Sequence, residues 1–409
     1  MHILLITTYF EPDQGAASII LTRLAKKLQA RGHQLTVLTT LPHYPEGRIA
    51  ESYRGKLVVL EDREGMRVIQ TWLWATASPR ISRKLLSQVS FMLTASLRGL
   101  RIPHTDVVLI EAQPIFTNLA GVFLSRVKRT PYVLDVSDLW PDHLLSVGVV
   151  TEKHPVYRIA RQMVDATYRG AAGITTLTPF LAQTIQRYIG PTDKIRVIYS
   201  GVDLTRFRPG LDTTAFRQKY DLGDARLITF IGTFGTAYDM EMMLEAAKPF
   251  VDRQDVRFVF MGRGSQNDVF QQRLAQGDLP NVRWIKWVDH AEIPCAWAAS
   301  YATFWALHKH DLHRGAIATK LYEAMGSGVP VVVALEGLVA DILQQSGAGI
   351  AVPFSDREGL VNAIRRLLDE PGLREQYSRA ARAYAEQHFD YEKSVAAYEE
   401  VLMKAAHKS

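Results

Sequence analysis

HILLITTYFEPDQGAASIILTRLAKKLQARGHQLTVLTT, residues 2–40, holds two short apolar runs with a helical stretch between them. The first run, HILLITTYF, is too short for a buried helix and is bounded by a Pro-, Asp- and Gly-bearing loop, EPDQGAA, as strands are. SIILTRLAKKLQARG then has helical spacing and stops at Gly32, where glycine takes the left-handed conformation that ends helices at little cost. HQLTVLTT is a second strand. Strand, helix, strand, with apolar strands, predicts a parallel sheet covered by helices on both faces.

The same alternation continues outward. VVLIEA, a helix near Phe116–Arg129, PYVLDVSD, a long helix through Tyr157–Tyr168, GITTLT, the helix PFLAQTIQRYI and KIRVIYSG complete a first series. After Gly201 the stretch VDLTRFRPG reads as a linker. A second series follows with strands RLITFIG, VRFVFMG, VRWIKWV, YATFWAL, PVVVAL and AGIAVPF, and with helices between them such as MEMMLEAAKPFV. The expected fold is α/β, with two doubly wound, Rossmann-like parallel-sheet domains facing a deep cleft. The expected bounds are 1–200 for the N-terminal domain and 201–385 for the C-terminal one. Sheets of this kind bind ligands beyond the C-terminal ends of their strands.

A chain of 409 residues exceeds one hydrophobic core, in agreement with two domains. Hydrophobic residues at 47% and charged residues at 22% are ordinary for a globular protein. The first residues lack a basic region and a cleavage site, so no secretory leader is expected, and no apolar stretch reaches the length of a membrane span. One cysteine, Cys295, excludes an internal disulfide framework and suits a reducing cytoplasm. A net charge of +6 fits a phosphate-rich ligand or an anionic membrane surface and does not by itself indicate nucleic acid.

Three turns have glycine where a strand meets a helix, which lets backbone amides approach an anion. They are Gly15, the pair Gly232 and Gly235 in FIGTFGTA, and the pair Gly262 and Gly264 in FMGRGSQN. None completes the dinucleotide fingerprint. HRGAIATKLYEAMGSGVPVVVA, residues 313–334, places Lys320 and Glu323 inside an otherwise apolar helix starting near Ala318–Thr319. A buried carboxylate needs donors. Vicinal ribose hydroxyls supply two, whereas a Lys320–Glu323 ion pair on a solvated face is the plainer alternative. Residues 79–101, PRISRKLLSQVSFMLTASLRGLR, read as a basic amphipathic helix. It is either a surface helix with solvated cations or a contact with an anionic membrane. No zinc-type motif is present, and Asp138, Asp142 and His143 read as helix-entry and sugar-contact chemistry, so no metal and no cofactor is expected.

The order of motifs resembles the retaining glycosyltransferases of family 4, two-domain enzymes with the GT-B fold. The resemblance is carried by the glycine loop after the first strand, DVSDLWP at 135–141, VIYSGVDLTRFRP at 197–209, FIGTFGT, and KLYEAMGSGVPVV at 320–332. DLWP with TKLYEAMGSGVP is similar to the branch containing fucosamine-type transferases of surface-polysaccharide synthesis. The resemblance implies transfer of a sugar from a nucleoside-diphosphate sugar, with UDP as the carrier, to a glycan or lipid-linked acceptor with retention. It also implies acceptor binding by the N-terminal domain, and a C-terminal helix, 386–409, crossing back to it.

The implied catalytic residues are Lys320 and Asp138. Glu323, Gly15, Gly232, Thr233, Gly235, Arg263, Ala318, Thr319 and Arg314 would hold the donor, and Ser137 and His143 would touch sugar or acceptor. The pattern departs from the family at Gly315, where an acid is usual, at Ser137, where a histidine is usual, and at Thr233 and Tyr238, which align with an arginine and a lysine. A nucleotide-sugar 2-epimerase and a non-catalytic nucleotide-sugar-binding protein remain open alternatives.

Overall fold

The computed structural model describes residues 1–13, 15–78, 80–142, 145 and 151–407. The chain divides into two compact units, Met1–Tyr199 with Ser394–Ser409, and Ser200–Lys393. Residues 386–393 therefore group with the second unit.

The described residues of the first unit build an eight-stranded sheet from β1 (His2–Ile6), β2 (Gln34–Thr40), β3 (Val58–Arg63), β4 (Met66–Thr71), β5 (Val107–Glu111), β6 (Tyr132–Val136), β7 (Gly173–Thr176) and β8 (Ile195–Val197). Their order is β3-β4-β2-β1-β5-β6-β7-β8. β1 pairs in parallel with both β2 and β5, with Ile3 opposite Leu35 and Val107. The central strands are mainly apolar because helices cover both faces, with Glu111 ending β5 and Asp135 in β6 as buried exceptions. Ile3, Leu4, Ile6, Val107, Val108, Ile110, Val133 and Leu134 are fully buried.

The sequence reading missed β3 and β4. They form an antiparallel hairpin at the sheet edge. Glu64 and Gly65 close it, both with positive φ (52° and 82°), the geometry of a tight hairpin turn that matches strand twist. β3 is at most half-buried, so VVLEDR lacks the apolar signature of its neighbours.

The second unit holds β9 (Arg226–Ile231), β10 (Val256–Met261), β11 (Val282–Ile285), β12 (Ser300–Ala306), β13 (Val331–Ala334) and β14 (Gly349–Val352). All its pairings are parallel, in the order β11-β10-β9-β12-β13-β14. Succession runs one way from β9 and the other way from β12, so the topology switches direction between these two strands. The crevice beyond their C-terminal ends is where such sheets bind ligands. Phe230, Phe258, Phe260 and Phe304 fill the core beneath it.

MEMMLEAAKPFV does not form one helix as expected. It gives a helix, Met240–Glu245, and a single 3-10 turn, Lys248–Phe250. Pro249 lacks an N–H, and its ring would collide with the carbonyl of residue 245 in a continuous helix. No helix among the described residues is long and apolar enough to cross a membrane.

Candidate functional site

β9 and β10 end side by side, and the loops that leave them are packed backbone against backbone. Gly262 (φ +140°) has no room for a side chain, since an added Cβ would lie 2.0 Å from the Gly232 carbonyl oxygen. One at Gly264 would lie 2.5 Å from the Phe234 oxygen. The Phe234 amide donates to the Arg263 carbonyl at 3.1 Å, and the Gln266 amide group donates to the carbonyls of Gly235 (2.6 Å) and Tyr238 (3.0 Å). Gly262 and Gly264 thus serve loop packing, whereas a Cβ on Gly235 would meet nothing within 4 Å.

A pocket of about 300 Å³ opens here, lined by Gly232, Thr233, Gly262, Arg263, Trp287 and Ile293 among others. Trp287 is exposed, and the Arg263 guanidinium lies 4.6 Å from its ring centroid.

Gly232 also touches the site from below. A Cβ there would sit 2.9 Å from Lys320 Nζ. Lys320 belongs to the first turn of the helix Thr319–Gly326, whose cap residue Ala318 contributes no side-chain hydrogen bond. It is buried, and Nζ has no hydrogen-bond partner among the described residues. Instead it lies 3.6 Å from the ring centroid of Phe230, 4.2 Å from that of Tyr238 and 5.7 Å from that of Trp305. Burial pushes its pKa well down, against a smaller upward pull from Glu323. The rings favour the ammonium by about 0.5–2 kcal/mol each. Stripping its hydration without replacement costs several kcal/mol, which outweighs the rings and sets the downward direction of the shift.

Glu323, half-buried one turn on, takes the indole N–H of Trp297 on Oε2 at 2.9 Å. The Lys320–Glu323 hydrogen-bonded pair is not formed. Arg314 stands apart, its charge engaged by Glu336 at 2.6 Å and Asp311 at 3.6 Å. Gly315, at the position where the resemblance implies an acid, is buried. Tyr238, aligned with a cation, forms part of the ring cage, and burial raises its phenol to about 12.

The remaining sequence-derived residues belong to the first unit. Gly15 caps the helix Ala16–Ala30 in extended backbone, and an added Cβ would come 3.0 Å from the Tyr44 ring. Ser137 is exposed and Asp138 half-buried just after β6, with Asp138 Oδ1 accepting the Leu139 amide at 2.9 Å. Asp142 is a structural anchor, holding Tyr157, Tyr188 and Arg161. His143 lies outside the described residues.

Sequence reasoning missed three features. Trp297 supports Glu323, and Trp287 pairs with Arg263. In the first unit, Asp13 and His43 form a buried pair, with Asp13 Oδ2 3.6 Å from His43 Nδ1. Thirty positions separate these two residues, so no motif joins them; only EPD and LPHYP, each closing a strand, flagged the loops.

Comparison with known proteins places both units. Residues 15–201 match the model of the glycosyl transferase 4-like domain, and residues 212–384 match that of the glycosyl transferases group 1. A putative colanic acid biosynthesis glycosyl transferase, WcaI of Escherichia coli K12, is 22% identical over 96% of this chain and 97% of its own. A GDP-mannose-dependent alpha-mannosyltransferase of Mycobacterium tuberculosis is also 22% identical, over 93% and 91%. Among solved structures, a sucrose-phosphate synthase from Thermosynechococcus elongatus superposes with a TM-score of 0.76 at 17% identity, covering all of both chains. HepE of Anabaena, in complex with UDP, gives 0.72 at 17% identity, covering 98% of this chain and 100% of its own. With two parallel-sheet units matched in succession by two glycosyltransferase models, the chain belongs to the GT-B glycosyltransferases.

Proposed function

We propose that this glycosyltransferase takes a sugar from a nucleoside diphosphate, with UDP the first carrier to test, and passes it with retention to a hydroxyl of a glycan or lipid-linked acceptor in surface-polysaccharide or glycoconjugate synthesis. One observation carries the donor side of this reading. Lys320 is a buried amine with no hydrogen-bond partner among the described residues, in the first turn of an uncapped helix at the switch point of the second unit's sheet. Such a group is costly in an empty site and is satisfied by an anion. Arg263 and the open Gly235 turn supply further positive character, Trp287 offers a ring face to the base, and Glu323 accepts from the ribose. Solved neighbours, HepE of Anabaena in complex with UDP and with UDP-glucose, support this class of donor.

In the proposed reaction the bond from the anomeric carbon to the diphosphate breaks, and the electron pair leaves on the phosphate oxygen. Lys320, protonated on binding, and the helix amides stabilise that charge. The acceptor oxygen adds on the face the phosphate leaves, and its proton passes to the phosphate, so no protein nucleophile and no metal is required. The first unit takes the acceptor. Its basic helix rests on the inner face of the cell membrane when the acceptor is lipid-linked.

The test is turnover and hydrolysis with a panel of nucleoside-diphosphate sugars. Lys320→Ala should lower kcat more than it raises the donor KM, with a total loss of about 10²–10³ for one group aimed at developing charge. A wild-type chain that neither binds nor turns over any nucleotide sugar defeats the donor reading.

A further inference from the structure

The first unit carries a second built pocket, of about 440 Å³, formed by the loops after β1 and β2. Pro12, Asp13, His43, Tyr44, Glu46 and Arg48 are among its lining. The two loops are tied together. Asp13 Oδ1 accepts the backbone N–H of His43 at 2.8 Å and of Tyr44 at 3.0 Å, and the Ser18 hydroxyl donates to the Asp13 carbonyl at 2.8 Å. Both Asp13 and His43 are more than nine-tenths buried.

The tautomer of His43 follows from its neighbours. Nδ1 faces the Leu41 carbonyl oxygen at 3.1 Å, which can only accept, and the Thr40 hydroxyl at 3.2 Å. That hydroxyl already commits its proton to the Thr8 carbonyl at 2.8 Å. Nδ1 therefore carries the hydrogen, with the Asp13 carboxylate behind it, and Nε2 keeps its lone pair. Nε2 has no partner among the described residues. Burial lowers the pKa of His43, the Asp13 charge pulling the other way, in keeping with a neutral ring. The Tyr9 ring stacks on His43 with centroids 5.7 Å apart, and Tyr44, 43% exposed, meets Tyr9 edge-on at 5.4 Å.

We propose that this pocket binds a neutral saccharide, with His43 Nε2 accepting a hydrogen bond from a ring hydroxyl and Tyr44 presenting its face to the sugar. The charges of the lining exclude a phosphate as the preferred occupant. The lining holds three carboxyls (Asp13, Glu46 and Glu51) against two guanidiniums (Arg48 and Arg54), and Glu51 and Arg54 pair with each other at 3.3 Å. Among the described residues no surplus cation faces the cavity, whereas a fixed lone pair, fixed carboxyls and an aromatic shelf suit a hydroxyl-rich apolar-faced ring. This inference rests on the reading that the first unit takes the acceptor, and it names the acceptor's chemistry at that site.

The test uses the full chain and saturation-transfer NMR with methyl glycosides of glucose, galactose, mannose and N-acetylglucosamine, inorganic phosphate as competitor, and calorimetry with UDP and GDP in parallel. At least one glycoside should receive saturation. Its signal should fall at least fivefold in His43→Phe and in Tyr44→Ala, survive in His43→Gln, whose carbonyl oxygen replaces Nε2 as acceptor, and persist in excess phosphate. UDP or GDP affinity should change less than twofold in all three variants. Absence of transfer to every glycoside, or equal transfer in His43→Phe with an unchanged circular-dichroism spectrum, overturns the proposal. Displacement by phosphate overturns the neutral class. Should His43→Phe misfold, Tyr44→Ala decides alone. If neither nucleotide binds the wild type while glycosides do, the donor reading fails and the saccharide pocket stands.

Discussion

Lys320 stores a conflict that ligand binding resolves. Its pKa in the folded chain lies well below 10.5, so between that depressed value and 10.5 the unfolded chain binds more protons than the folded one. Stability must then rise with pH across this window, and the lysine is a burden below it. Lys320→Met, which keeps the stem and removes the amine, should therefore stabilise the empty protein at pH 7. Its advantage should shrink as pH approaches 10.5, as read by urea unfolding at several pH values. A diphosphate reverses the preference, because an adjacent anion favours the ammonium. Nucleotide binding at a pH between the depressed value and 10.5 should accordingly take up a proton, seen as a dependence of the calorimetric enthalpy on the buffer's ionisation heat, and Lys320→Met should abolish that dependence. Uptake that persists in the variant would assign the proton to another group. The sequence made Lys320 and Glu323 legible because charged residues inside an apolar helical run are conspicuous. It could not show that Phe230, Tyr238 and Trp305 converge on the amine, or that Trp297 holds the carboxylate. Those contacts join residues from separate elements across the sheet, and no local period encodes them.

At the scale of elements, the helix Ile81–Gly99 carries two apolar stripes. Phe91, Ala95 and Gly99, spaced by four, are buried. Gly99 lies so near Leu124, in the helix Ile115–Lys128, that an added Cβ would come 2.3 Å from its side chain. The other stripe, with Leu86, Leu93 and Leu97, points to solvent, Leu97 being 69% exposed. Trp74, also exposed, lies alongside, its backbone N–H bonded to the Ser90 hydroxyl at 2.8 Å. An ordinary surface helix needs only the first stripe. The second, set among Arg80, Arg83, Lys84, Arg98 and Arg101, fits an interfacial contact in which each cation contributes about 1 kcal/mol near an anionic leaflet. Replacing these five with Gln should release the protein from anionic vesicles in a sedimentation assay, and raised salt should weaken the wild type likewise. Equal pelleting with neutral and anionic vesicles would leave the second stripe to another partner. Legibility differs sharply between elements. Strands buried on both faces announce themselves as apolar runs. The β3–β4 hairpin sits at an edge, half solvated, and only Glu64-Gly65 marked its turn. The break at Pro249 was present in the sequence and was outweighed by the apolar periodicity around it.

Over the whole molecule, the chain leaves its first unit at Tyr199 and returns at Ser394, within the helix Tyr391–Ala406. The return is secured by Val395, Leu402 and Ala405, all buried, and by polar links that include two of different character. Tyr398 donates its hydroxyl to the buried Asp135 carboxylate at 2.9 Å, which also takes the Thr175 hydroxyl at 2.6 Å. Glu399 pairs with His33 at 2.6 Å and Arg31 at 2.9 Å near the surface. Desolvation decides which matters more. Removing a donor from a buried charged acceptor costs about 1.5–3 kcal/mol, whereas an exposed ion pair contributes under about 1 kcal/mol. Tyr398→Phe should therefore lower the unfolding free energy at pH 7 more than Glu399→Gln does. The pH dependence follows from burial, which raises Asp135 above its ordinary 3.8 despite these two hydroxyls. Its contribution to stability falls as pH rises from 3.8 through the raised value, since the folded state there holds the extra proton. Losing the Tyr398 donor lifts the pKa further, so the cost of Tyr398→Phe should be full above that value and shrink toward pH 3.5, where the carboxyl is protonated in both states. Chemical denaturation of the two variants at pH 3.5 and pH 7 measures both effects. A Tyr398→Phe penalty that is small at pH 7, or equal at the two pH values, would mean that the Tyr398–Asp135 hydrogen bond does not secure the returning helix.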